Sequence, residues 1–227
     1  MATSTTNLLS AVNSVLQNVG ERQVSTLVSP LSNIVASNLR ESCYHVSTMS
    51  EWTFLKLVLP AQSWLFDTAY LGDFVQAIHN VEQGSNSIGF TNLSYVAPDV
   101  YDSRPLMTFD DTQLQGSRWY NITNDLNRVR INPYPTGSIG QSQLRFYVTT
   151  TIVPPDASTD FFPVPERFLP LIVKHATALT LLRHLGDTAT AQFENQLFTQ
   201  MAEQIKQRER GVVAGRQNMY RPYRGTR

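Results

Sequence analysis

Apolar residues recur at helical spacing in the first and last quarters of the chain and alternate with polar ones in between. Leu8, Leu9, Val12, Val15, Leu16 and Val19 form one stripe of an amphipathic helix. Asn7 stands where a side chain caps the first turn, and Gly20 where a left-handed residue closes the last. Val24-Ser25-Thr26-Leu27 reads as a short extended exit. Ser29-Pro30, a cap residue followed by proline, starts a second helix over 31–50, with Leu31, Ile34 or Val35, Leu39, Val46 and Met49 near one face. After Trp52 the period changes to two. Strands are predicted over 53–59, 64–71, 74–79, 88–96, 118–122, 129–132 and 144–153, separated by turn signals such as Gly72-Asp73, Ala97-Pro98-Asp99 and Asn132-Pro133.

Pro154-Pro155 and Pro163-Val164-Pro165 mark the return to helix. Pro165 and Glu166 start a third helix, whose apolar face holds Phe168, Leu169, Ile172, Ala176, Leu179, Leu182 and Leu185. Gly186-Asp187 stops it and caps a fourth, carrying Phe193, Leu197, Phe198, Met201 and Ile205. Residues 211–227 have no period, and their three glycines and one proline oppose regular structure. The pattern predicts an α+β fold: a mixed four-helix bundle from the N- and C-terminal segments, an inserted antiparallel β domain and an extended C-terminal tail. The boundaries fall at 1–58 for the N-terminal helices and first strand and 59–160 for the β domain. A C-terminal helix pair over 161–207 completes the bundle, and a basic tail covers 208–227.

Charge sharpens the reading of that tail. The formal net charge is zero, yet seven of the 18 basic residues and only one of the 18 acids lie from Lys206 onward. The zero net charge gives no global field that attracts nucleic acid or membrane, but it hides a body of about −6 and a tail of about +6. Charged residues are only 16% of the chain, which suits a subunit covered by partners as well as it suits a polar, uncharged surface. Met219, Tyr220 and Tyr223 stand among the tail arginines, a mixture enriched at protein interfaces. Three readings of the tail stay open: ordering against another subunit or partner, a solvated end, or a contact with nucleic acid. The single cysteine, Cys43, excludes an internal disulfide and reads as a small buried side chain. The N-terminus has no signal-peptide pattern, and no stretch reaches the roughly 20 apolar residues that span a bilayer, so a cytoplasmic origin is expected.

Little in the sequence points to chemistry. His175 and His184 are nine apart and do not share a helical metal-binding face; His45 and Cys43, two apart, diverge on a helix. Gly84 to Thr91 has the glycine spacing of a phosphate loop, but Phe90 replaces the lysine, so a hairpin turn is expected. Gly137-Ser138-Ile139-Gly140 is one residue short of a nucleophile elbow and reads as loop. Asp99, Asp102, Asp110 and Asp111 cluster in a Pro-containing loop; two of them could act as a glycosidase pair only if held about 5–9 Å apart.

One resemblance is specific. The helix containing Leu9-Ser10-Ala11-Val12-Asn13, the Gly20-Glu21 turn, Val24-Ser25-Thr26-Leu27, the second helix and the Trp52-Thr53-Phe54 exit resemble the opening of the tail tubular protein A family, head-to-tail adaptors of short-tailed bacteriophages. The later helix pair and irregular tail match that family in layout. The resemblance implies a structural, non-enzymatic role in the virion tail, with assembly in the host cytoplasm. It implies a homo-oligomeric ring, a dodecamer, that joins the portal protein to the tail nozzle protein and continues the DNA channel without specific DNA binding. The helical part and tail then engage portal and neighbouring subunits, and the β part faces the nozzle. Arg216, Met219, Tyr220, Tyr223 and Arg224 are the expected portal or neighbour contacts. No cofactor, metal, catalytic residue or membrane partner is expected. The alternatives are a virion-associated cell-wall or capsule hydrolase and a connector of a different tail type.

Overall fold

The computed structural model describes residues 4–85, 89–109, 118–123, 125, 127–136 and 143–219, with backbone alone at 85, 89, 109 and 210–219. The chain divides into two compact units, 1–54 with 152–227, and 55–151. Helices gather in the first and mostly antiparallel sheets in the second, an α+β organisation.

In the helical unit, α1 (Leu8–Asn18) is capped by Asn7, whose Oδ1 accepts from the Ser10 N–H at 2.9 Å. It buries Leu8, Ala11, Val12, Val15 and Leu16. Gly20 takes φ +79° and ends it. The expected extended run at 24–27 is absent: the chain there bends and turns. Asn13 is the reason. Its amide donates to the Val24 carbonyl at 2.9 Å, and its Oδ1 accepts the Val24 N–H at 2.8 Å. One side chain thus satisfies the pair of backbone groups that a neighbouring strand would otherwise engage.

α2 (Pro30–Met49) begins as expected, with Ser29 Oγ accepting from the Ser32 N–H at 3.1 Å. Its buried face is wider than its apolar stripe. Val35, Ala36, Leu39, Cys43 and Val46 are joined by Ser32, Asn38, Ser42 and Ser47. The serines return their hydroxyls to nearby backbone carbonyls, and Asn38 donates to Thr180 Oγ1 at 2.9 Å. A short 3₁₀ turn, Glu166–Phe168, leads into α3 (Leu169–Thr180), which packs against α1, α2 and α4 (Thr188–Met219). Pro170 sits in the first turn of α3, where its missing N–H costs nothing. The helix loosens to a π turn at Leu181–Leu185 and stops at left-handed Gly186; Asp187 Oδ1 then caps α4 through the Thr190 N–H at 3.0 Å.

Two expectations for α4 need correction. Phe193 is exposed rather than on the packed face, which holds Ala191, Phe198 and Ala202. The helix also runs on to Met219, where an extended chain was expected from 208. Each of Gly211 and Gly215 costs a helix roughly 1 kcal/mol relative to alanine, but extending a formed helix needs no new nucleus.

The β unit holds two main sheets. One has the order β1 (Lys56–Leu59), β11 (Leu144–Thr150), β4 (Val75–Ser85) and β5 (Gly89–Asn92), all antiparallel. The other has the order β2 (Ser63–Leu65), β3 (Thr68–Tyr70), β9 (Arg128–Asn132), β8 (Trp119–Ile122) and β6 (Ser94–Tyr95), with the β6–β8 pair parallel. A small parallel pair joins β7 (Thr108–Phe109) to β10 (Tyr134–Pro135). Ala69, Leu71, Val81, Val129, Ile131, Leu144 and Phe146 fill the core between them.

The 53–59 segment opens as a 3₁₀ turn at Thr53–Leu55 before β1. The 64–71 segment is two strands rather than one, because the chain reverses at Phe66-Asp67 with Phe66 at φ +51°. Pro98–Asp102 is a helical turn, not a simple reversal. β4 and β5 pair with Ser85 opposite Gly89, so the glycine-spaced segment at 84–91 begins and ends in strands; residues 86–88 lie outside the described residues.

Candidate interaction surfaces

The first surface is the C-terminal helix and its anchor. Glu209 lies near the last residue of α4 whose side chain is described, and its carboxylate is only 12% exposed. It accepts from the Thr53 N–H at 3.2 Å, from the Thr53 hydroxyl and from the Arg167 guanidinium. Phe168, next to Arg167, packs against Trp52 and Phe54 at 5.2 and 4.3 Å between ring centroids. The Trp-Thr-Phe exit therefore holds the turn before α3 through an aromatic cluster and α4 through the Glu209 carboxylate. The helix beyond this clamp carries the backbone of Arg216 and Met219; Tyr220, Tyr223 and Arg224 lie outside the described residues.

A second surface lies between α3 and the start of α4. A cavity of about 200 Å³ is lined by Ala178, Leu179 and Leu182 on one side, Ala191 on the other, and by Gln192, Asn195 and His175. Leu182 is half exposed. Below it the His45 and His175 rings stack at 4.4 Å and 9°, with Phe198 4.8 Å from His175. Burial, reinforced by His45, pushes His175 down to about 4, so it is neutral near pH 7. Ser42 spends its proton on the Asn38 carbonyl at 2.7 Å, so its Oγ, 2.9 Å from His175 Nδ1, accepts. His175 is thus the Nδ1–H tautomer. Beside it Arg183 binds Glu41 through both guanidinium nitrogens, holding that carboxylate below its usual range. Sequence spacing places His45 and His175 far apart, so only the α2–α3 packing brings them together.

The β unit presents a third. Leu65 and Phe66, at the tip of the β2–β3 hairpin, are 70% and 73% exposed. A bulky residue with positive φ and no burial is uncommon and stores roughly 1–2 kcal/mol of strain. An open depression of about 630 Å³ nearby is lined by Tyr70, Asp73, Asp125 and Arg128 among others. Its charged groups are engaged: Asp73 accepts from Tyr70 and Asn127, and Arg128 pairs with Asp125 at 3.3 Å.

The acidic loop does not assemble a catalytic pair among the described residues. Asp102 binds Arg130 at 2.6 Å; the same guanidinium binds Asp67 at 3.2 Å and lies over the Tyr101 ring at 4.4 Å. Tyr101 also donates to Asp67 at 3.1 Å, and burial with that carboxylate raises its phenol. These carboxylates tie the Pro98–Asp102 turn to β9 and to the reversal before β3. Asp110, Asp111 and the segment 137–140 lie outside the described residues. Among the described residues no cluster of three His, Cys, Asp or Glu side chains could hold a metal, and no helix is long and apolar enough to cross a membrane.

Helical anchor, exposed apolar surface and engaged carboxylates describe a protein of contacts. The profile of the SU10 adaptor protein family matches residues 44–221. The chain belongs to that family. Its members are phage head-to-tail adaptors, so the protein is a structural adaptor of the virion rather than a member of an enzyme family. The match covers α3, α4 and the whole β unit, and overlaps the tail tubular protein A-like opening only over 44–58. No curated protein sequence matches the adaptor.

Proposed function

We propose that the adaptor works in the manner of tail tubular protein A. Copies close into a ring, a dodecamer, beneath the portal, join it to the tail nozzle and continue the DNA channel. The family match across both units carries the reading. The N-terminal motifs at 8–58 support the tail tubular protein A type over a connector of another tail. Heterologous contacts between identical subunits generate such rings. In this reading the helical unit meets the portal and the β unit, with Leu65 and Phe66 exposed, meets the nozzle. Arg216, Met219, Tyr220, Tyr223 and Arg224 are portal or neighbour contacts. The genome slides through a channel that binds it weakly.

Co-sedimentation with the portal ring of the source virion tests this. Full-length adaptor is compared with a chain ending at Arg210, which keeps the Glu209 clamp. Full-length protein is expected in the pellet with the portal, and the shortened chain depleted from it. Absence of both from the pellet overturns the adaptor–portal reading. Equal pelleting moves the portal contact into the helical body.

A further inference from the structure

We propose that the groove between α3 and α4 receives a tyrosine, Tyr220 or Tyr223, from the C-terminal segment of a second copy. The inference rests on the ring reading above and names what one subunit inserts into the next.

Reach decides that the donor is another copy. The groove meets α4 at Ala191 to Asn195, and the helix continues to Met219. At 1.5 Å per residue the helix end lies about 36 Å beyond Asn195. An extended chain covers at most about 14 Å by Tyr223 and about 29 Å by Arg227. A subunit's own tail therefore falls short of its own groove, whereas a head-to-tail neighbour can present its tail there without limit from chain length.

The groove chemistry selects the side chain. About 200 Å³ is below the roughly 300–1,000 Å³ of small-molecule sites and suits one inserted side chain. Its walls are apolar, from Ala178, Leu179, Leu182 and Ala191. Its polar members are His175, whose Nδ1 lies 2.9 Å from Ser42 Oγ, Gln192 and Asn195. An apolar slot with polar side chains in its lining matches a phenol, which supplies a flat apolar ring and a hydroxyl that donates and accepts. Tyr220 and Tyr223 are the aromatics of the segment C-terminal to α4. The arginines around them add long-range attraction to a body with six more acids than bases.

Single-cysteine exchange tests it. Cys43 is fully buried and its thiol is pushed up to about 12, so it is a silent background. Adaptor carrying Gln192→Cys is mixed with adaptor carrying Tyr220→Cys or Tyr223→Cys, both in solution and bound to the portal ring, and oxidised mildly. A disulfide-linked pair of one chain of each kind is expected, and Leu182→Glu in the Gln192→Cys chain should reduce its yield about tenfold. No mixed pair from either tyrosine position, in solution or on the portal, overturns the proposal. Mixed pairs that Leu182→Glu leaves unchanged also overturn it, since the contact would then not use the groove. Portal co-sedimentation of the same variants is scored separately. Its loss would count against the adaptor–portal reading, while its persistence without mixed pairs would count only against the groove.

Discussion

Single side chains in this protein carry roles that their residue type hides. His175 is held neutral by burial and by the neighbouring His45, while a hydrogen bond to Ser42 orients its ring. The unfolded chain binds a proton near the ordinary value of 6.5, the folded chain only near 4. The unfolded state therefore holds more protons between those values, and stability contributed by His175 is present above the upper one and lost as pH falls toward the lower. Urea midpoints measured across this range should fall with pH in the native protein and fall less in a His175→Gln variant. Equal slopes would mean that other groups govern the acid limb. Phe66 shows the opposite case, a residue whose backbone is strained and whose ring is exposed. Phe66→Asn places a residue that tolerates the left-handed region there and should gain about 1 kcal/mol, about 2–4 °C in Tm. A lower Tm would show that the ring contributes packing that outweighs the strain.

At the scale of elements, side chains set where helices begin, and left-handed glycines end α1 and the π turn after α3. Asn7, Ser29 and Asp187 cap their helices with the hydrogen bonds that their positions predict. Gly20 and Gly186 end theirs in the left-handed region. Within α4, Glu209 is held by distant partners, Thr53 and Arg167, ten residues before the helix ends at Met219. Glu209→Gln keeps the size but weakens charge-assisted acceptance. Amide exchange over 203–210 should quicken several-fold in that variant while the α1–α3 core stays protected; unchanged exchange would show that the Glu209 charge does not anchor this stretch. Asn38 offers a second check. Its buried bond to Thr180 couples α2 to α3, and Asn38→Ala, which leaves the Thr180 oxygen without that donor, should cost about 1–3 kcal/mol in chemical denaturation. A change below a few tenths would show that the site relaxes around the loss.

For the whole molecule the relevant quantity is assembly. In the proposed ring, a body of about −6 and a C-terminal segment of about +6 attract one another between subunits over distances that salt screens. Raised salt should therefore shift the adaptor toward smaller species in analytical ultracentrifugation. Salt-insensitive assembly would instead assign the contact to apolar and aromatic groups such as those of the α3–α4 groove. Membership of an adaptor family fits a surface on which charge is sparse and large apolar side chains stay exposed in both units.

By itself the sequence determined the local events: helix caps, the glycine stops at 20 and 186, the change of period after Trp52, the β-rich middle, the buried Cys43 and the concentration of positive charge after Lys206. These depend on caps, glycines and alternation, which act over a few residues. The Leu9–Leu27 and Trp52–Phe54 strings also pointed to a phage adaptor, and the family match agrees at that level. Only the tertiary structure decided which faces were buried. The polar residues Asn38, Ser42 and Ser47 belong to the core because their hydrogen bonds are met inside it. Phe193, apolar by type, faces outward. Val24 turns because Asn13 holds it, and the 64–71 run splits because the chain reverses at Phe66. The histidine stack beside the α3–α4 groove joins α2 to α3 through residues more than a hundred positions apart, 45 against 175, a distance no local pattern encodes.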